Sequence, residues 1–91
     1  MRELLVDTCE VESTEGREER FAYYILVDQM EISGGFACES YGVKVAALNG
    51  GETVSLPNIT VSISRIDELM GLLIRNLVTP VTLRDVVEDW L

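Results

Sequence analysis

The sequence predicts an α+β fold, with an antiparallel sheet of four or five strands followed by two C-terminal helices packed on one of its faces. Up to Ser64 the apolar residues alternate with polar ones or form short β-branched and aromatic runs, as in strands. Beyond Ser64 the apolar period changes from two to about 3.6, the period of a helix. Strands that precede helices, joined by hairpin signals, favour an antiparallel sheet.

The strand signals come first along the chain. The strands are predicted at residues 3–12, 20–28, 36–48 and 53–64. An extension of the second strand through Met30 and Ile32 is left open. Residues 21–27 are dense in aromatic and β-branched side chains and are apolar on both faces, which is typical of a central strand. Gly42 predicts a bulge in the third strand, because glycine within a β pattern marks a bulge or a close backbone approach. Pro57 leaves open whether residues 53–64 form one kinked strand or two short ones.

The connections between these strands are rich in glycine or in acids. Ser33-Gly34-Gly35 indicates a turn, and Asn49-Gly50-Gly51 supplies the positive φ angles that a tight hairpin needs. Residues 10–20 hold five acids, and we expect a solvated turn there, with a flexible acidic docking loop as the alternative.

Two helices are predicted, at residues 65–78 and 80–91. Ser64 is the expected N-cap of the first, with Asp67 three residues later as its capping-box partner. The wide apolar arc of this helix indicates burial on more than one side. The second helix is capped either by Thr79, with Pro80 at its first position, or by Thr82.

Composition narrows the range of functions. The 91 residues fit a single domain spanning residues 1–91, with 16 acidic and 7 basic residues and a net charge of −9. Without a cationic cluster, we expect no nucleic-acid partner and no anionic membrane, whereas a basic protein partner is possible. The longest apolar run has seven residues and the start lacks a signal peptide, so we expect a cytoplasmic protein. The absence of histidine removes the usual zinc ligands, and no metal or cofactor is expected.

Side chains that could support chemistry are few, and no catalytic residue is assigned. Asp28, Cys38 and Glu39 are weak pocket candidates that, with nearby tyrosines, would suit a small-molecule-binding or minor enzymatic domain. Cys9 and Cys38 are expected as structural thiols, since the acids beside them raise a thiol pKa. A reactive thiol and a disulfide across paired strands are the alternatives.

The leading hypothesis is a non-catalytic, acidic protein-interaction module. A strand that is apolar on both faces carries more apolar surface than two short helices can cover, and exposed apolar patches mark association surfaces. We therefore expect a homodimer or another protein partner at the second sheet face. The candidate surface residues are Tyr23, Tyr24, Leu26, Tyr41 and Trp90. An acidic decoy that mimics nucleic acid is a further alternative, which requires carboxylates aligned along one face.

Two segments resemble a known family. The residues ESYGV at 39–43 and VTPVTLRDVVEDWL at 78–91, with the strand-to-helix passage Ile63-Ser64, are similar to a family of small uncharacterised proteins from clostridial-type bacteria. The likeness spans residues 20–91 and is most specific in the C-terminal third. The resemblance implies a small intracellular bacterial domain and no particular activity.

Overall fold

The computed structural model describes residues 1–12, 15–16, 18–32 and 34–91, and the predicted α+β architecture is confirmed. The sheet has the order β1-β2-β3-β4, with each strand antiparallel to the next. The strands are β1 (Arg2–Glu12), β2 (Glu18–Ile32), β3 (Phe36–Ala47) and β4 (Thr53–Thr60). They are followed by the helices α1 (Ile63–Arg75) and α2 (Pro80–Trp90). The order follows from the hairpin connections, which place each strand beside its predecessor.

The β2–β3 pair is longer than the rest of the sheet. It runs in unbroken register from Phe21 opposite Ala47 to Ile32 opposite Phe36. In contrast, β1 follows β2 only as far as Val27, and β4 follows β3 only as far as Tyr41. Residues 28–32 and 36–40 therefore continue as a two-stranded ribbon, here called the distal hairpin, in a molecule of 55 × 23 × 17 Å. The second strand thus continues past residue 28 and includes the extension through Met30 and Ile32 that the sequence left open.

Both helices pack on one face of the sheet and bury the core there. From the sheet the core takes Tyr23, Val43 and Val45, which alternation places on that face. From the helices it takes Ile66, Leu69, Met70, Leu73, Leu83 and Val87. The Tyr23 hydroxyl donates a buried hydrogen bond of 3.0 Å to the carbonyl of Val78, between the helices. This bond fixes the helix connection to the middle of the sheet.

The predicted cap of α1 is wrong by two residues. Ser62, not Ser64, is the N-cap, and its hydroxyl accepts the N–H of Arg65 at 3.3 Å. The strand ends early because the Thr60 hydroxyl accepts the N–H of Ser62 at 3.1 Å, which turns the chain out of the sheet. The helix also ends before its predicted limit, at Arg75, and Leu77 has a positive φ of 50°.

The fourth strand is one irregular strand, which decides between the two alternatives left by Pro57. Val43 is opposite Leu56 but Tyr41 is opposite Thr60, so residues 57–59 bulge beside Gly42. A Cβ atom at Gly42 would lie 2.6 Å from the Cα of Pro57, closer than real contacts allow. Glycine is therefore required where the backbone of Pro57 lies against β3, and the close backbone approach expected at Gly42 is confirmed. The bulge itself lies in β4 and not in the third strand, whose register with β2 is unbroken.

The remaining connections agree with the sequence only in part, because residues 10–12 and 18–20 of the predicted acidic turn belong to β1 and β2. Thr79 is the N-cap of α2 with Pro80 at its first position, as in one of the two predicted caps. Gly34 and Gly35, in the turn of the distal hairpin, have positive φ angles. The prediction for residue 33, and that for residues 13, 14 and 17 of the acidic turn, lie outside the described residues.

Candidate interaction surfaces

The sheet face without helices, here called the second face, is closed at its centre by the chain itself. Ala22, Leu26 and Ala46 on this face are buried, and Leu26 is only 1% exposed. The register partner of Leu26 is Gly42, against which the backbone of Pro57 lies. The expectation that Leu26 belongs to an exposed surface is therefore wrong, because the bulge of β4 folds over this part of the face.

A polar cluster covers the next part of the second face. Tyr24 is half-buried, and Lys44 Nζ lies 4.9 Å from the centroid of its ring. The same ammonium lies 2.9 Å and 3.0 Å from the two carboxylate oxygens of Glu3. Three strands are linked in this way, and Tyr24 takes part in a cation–π contact instead of an apolar patch.

The other three predicted surface residues belong to the helix-covered side. Tyr23 is fully buried, so its assignment to an interaction surface is wrong. Burial, and then the neighbouring Cys9 and Asp7, raise the pKa of Tyr23 to about 12. Tyr41 is half-buried, and Trp90 lies under the Arg65 guanidinium at 4.1 Å. The five candidates thus divide between two faces and do not form one surface.

The distal hairpin carries apolar side chains that sequence reasoning missed. Phe36 is 73% exposed and Met30 is 44% exposed. By strand alternation both lie on the second face together with the half-buried Cys38, and Met30 is paired with Cys38. These three side chains are here called the distal apolar face. The sequence left open an extension of the second strand through Met30, but neither Met30 nor Phe36 was among the candidate surface residues.

The weak pocket candidates are only partly brought together. Asp28 and Glu39 line a cavity of about 410 Å³ at the base of the distal hairpin, whereas Cys38 does not. Alternation places Asp28 on the second face and Glu39 on the other. Asp28 accepts the N–H of Gln29 at 2.9 Å, and Glu39 forms an ion pair of 3.7 Å with Arg2. In the described structure no hydrogen bond joins the three candidates, so they do not form an acid–base or thiol–carboxylate pair.

The two cysteines are free thiols on strands that do not pair with each other. Cys9 is opposite Phe21 and Cys38 is opposite Met30, with β2 between them, so the alternative of a disulfide is wrong. Burial, followed by the charge of Asp7, raises the pKa of the Cys9 thiol. This shift favours the protonated, unreactive form.

A second cavity, of about 360 Å³, lies at the opposite end of the molecule. Phe21, Ala47 and Pro80 form apolar walls, and Glu19 and Glu52 also line it. Over the residues that the structure describes, no group of three or more Cys, Asp or Glu side chains is arranged to hold a metal ion. Among those same residues, no helix has the length and apolar character needed to cross a membrane.

Comparison with known proteins identifies a family and nothing more specific. The chain belongs to a family of unknown function, DUF6514, whose model matches residues 2–91. The match includes the acidic N-terminal stretch, which the resemblance starting at residue 20 had left out. No curated protein and no solved structure matches the chain.

Proposed function

We propose that this member of a family of unknown function is a non-catalytic, acidic protein-interaction module that self-associates through the distal apolar face. The observation that carries the proposal is the 73% exposure of Phe36 on a two-stranded ribbon that extends beyond β1 and β4. The free thiols of Cys9 and Cys38 fit the reducing cytoplasm that the composition predicts.

A partner that packs against an uncovered two-stranded ribbon increases the stability of the ribbon. Two-stranded hairpins are at best marginally stable in water and need a packed face. Fully burying an aromatic or methionine side chain contributes about 1.5–3 kcal/mol. A single contact that buries Phe36 and Met30 would therefore stabilise both the ribbon and the complex with the partner.

The distribution of charge favours a second copy as that partner. Glu31 and Glu39 lie on the opposite side of the ribbon, away from Phe36 and Met30. Asp28 shares the second face but is half-buried at the base of the ribbon. Two copies related by a twofold axis can thus meet through the distal apolar face while Glu31 and Glu39 remain in water, despite the net charge of −9.

The size of the face sets the expected affinity. The ribbon has five residue pairs, from Asp28 opposite Ser40 to Ile32 opposite Phe36. Five residues span about 17 Å of strand. Such a face is smaller than the roughly 800 Å² per partner of standard interfaces, so the dimer should be weak and concentration-dependent.

Sedimentation equilibrium from micromolar to millimolar protein tests this proposal. We expect a reversible monomer–dimer equilibrium that F36S weakens at least tenfold. V81S is the matched control, because Val81 is 77% exposed but lies on α2. A wild-type chain that stays monomeric at millimolar concentration, or an equal effect of the two substitutions, would remove the proposal.

The acidic decoy receives less support from the distribution of carboxylates. Acids lie on β1, on both helices and on both sides of the distal hairpin, for example Glu10, Glu68 and Asp89. A mimic of the phosphate backbone needs them aligned along one face, so the protein-interaction proposal is preferred.

A further inference from the structure

The outer edge of β1 is a second surface, separate from the distal apolar face. β1 is an edge strand of eleven residues that pairs with β2 on its inner side. In the part of the chain that the structure describes, no strand pairs with its outer side. Leu4, Leu5 and Val6 are 45–58% exposed. An edge strand of this length presents a row of backbone N–H and C=O groups that another chain can pair with.

The charges along β1 are strongly unbalanced. The strand carries four acids and only one base, Arg2. Glu10 is paired with Arg20 on the neighbouring strand β2 at 3.1 Å, and Glu3 is paired with Lys44 on β3 at 2.9 Å. Asp7 and Glu12 form no ion pair with any described residue. The excess of negative charge therefore lies in residues 7–12, where two of the three acids are without an ion pair among the described residues.

From this geometry we infer that the outer edge of β1 accepts a short, extended, basic segment of another protein by strand addition. A second copy is disfavoured there, because like charges on adjacent strands destabilise the pairing and this edge would meet an equally acidic one. A lysine- or arginine-bearing strand gains both the backbone hydrogen bonds and the charge complementarity.

The irregularity of β1 limits which residues can take part. The register with β2 shifts between Leu5 and Asp7, and such a bulge interrupts regular pairing. The regular stretch is residues 7–12. Within it, Glu10 and Glu12 lie on the second face, whereas the half-buried Cys9 and Val11 lie on the helix-covered face. A segment of about six residues with alternating cationic and apolar side chains fits this pattern.

A synthetic peptide of three Lys-Val repeats is the probe, titrated into the isotope-labelled chain and followed by amide NMR shifts. We expect shift changes concentrated in residues 7–12 and affinity that decreases with salt. The same peptide with alternate amides N-methylated keeps its charge but loses strand pairing, and it should bind at least tenfold more weakly. The double variant E10Q/E12Q should also weaken binding about tenfold, and its matched control is E88Q/D89N on α2.

Three outcomes would overturn the inference. They are the absence of shift changes at millimolar peptide, equal binding of the N-methylated peptide, and shift changes that follow the helices instead of β1. The titration is repeated on F36S, which removes the proposed self-association. Unchanged peptide binding by F36S would show that the two surfaces act independently. A wild-type chain that binds the peptide but stays monomeric would then contradict only the proposed dimer.

Discussion

The two halves of the β2–β3 pair have the same register and the same alternation but different surroundings. The proximal half, residues 21–27 with 41–47, is flanked by β1 and β4 and covered by both helices, and it holds the fully buried Tyr23 and Val43. The distal half, residues 28–32 with 36–40, extends beyond both neighbouring strands and exposes Phe36. The comparison shows that strand pattern alone does not decide burial; the lengths of the neighbouring elements do.

The largest expected difference between the halves is in folding stability. Leu83 is fully buried in the core over the proximal half. L83A should reduce the free energy of unfolding by about 2–5 kcal/mol, because it leaves a cavity. F36A should change it by less than about 0.5 kcal/mol at concentrations where the chain is monomeric. Urea unfolding of both variants measures this, and equal losses would contradict the division into two halves.

The next effect is a dependence of stability on pH in the proximal half. Because the pKa of Tyr23 is about 12 in the fold and near 10 when unfolded, folding favours the neutral phenol. This stabilisation is complete below pH 10 and is lost as the pH rises towards 12, by about 2–3 kcal/mol in total. Y23F should lack this component of the pH profile. It should also lower stability at neutral pH by about 1–3 kcal/mol, because the Val78 carbonyl loses its buried donor.

A smaller effect is expected at the contact between Gly42 and the backbone of Pro57, which closes the centre of the second face. G42A should destabilise the fold by about 1–3 kcal/mol, because the new methyl group overlaps the backbone of Pro57. G71A is the matched control, since a Cβ there meets nothing within 4 Å in helix α1. It should stabilise the fold by up to about 1 kcal/mol. Thermal unfolding of the two variants measures both changes in stability. An unchanged stability of G42A would contradict the close contact between Gly42 and the backbone of Pro57.

The smallest effect is expected at the polar cluster on the second face. K44M keeps the aliphatic part of the side chain but removes the ion pair with the half-exposed Glu3. The loss should be below about 1 kcal/mol, as for other partly solvated ion pairs. Chemical denaturation measures this loss of stability. A loss of several kcal/mol would show that the polar cluster, and not the backbone of β4 over Gly42, closes the second face.

Local sequence patterns were sufficient to predict the strands and helices, but not to predict which surfaces these elements bury against one another. The change of apolar period near Ser64 and the Thr79-Pro80 pair predicted the helices, and the glycine at residue 42 predicted a close backbone approach. The N-cap was misplaced because alternation continues to Ser64, whereas the turn depends on the Thr60 hydroxyl. These misassignments were local and moved boundaries by a few residues.

The candidate surface was less predictable because it depends on contacts between distant residues. The burial of Leu26 follows from Pro57, thirty-one residues later in the chain, folding over Gly42. The exposure of Phe36 follows from where β1 and β4 stop, which no local pattern specifies. The predicted interaction surface was therefore placed at the centre of the second face, where the chain itself covers Leu26.

Amide hydrogen exchange at two protein concentrations, one below and one above the expected monomer–dimer midpoint, measures whether a second copy covers the distal hairpin. We expect protection in residues 28–32 and 36–40 to rise with concentration, while protection in residues 21–27 and 41–47 stays constant. Protection of the distal hairpin that is the same at both concentrations would contradict the claim that a second copy covers it.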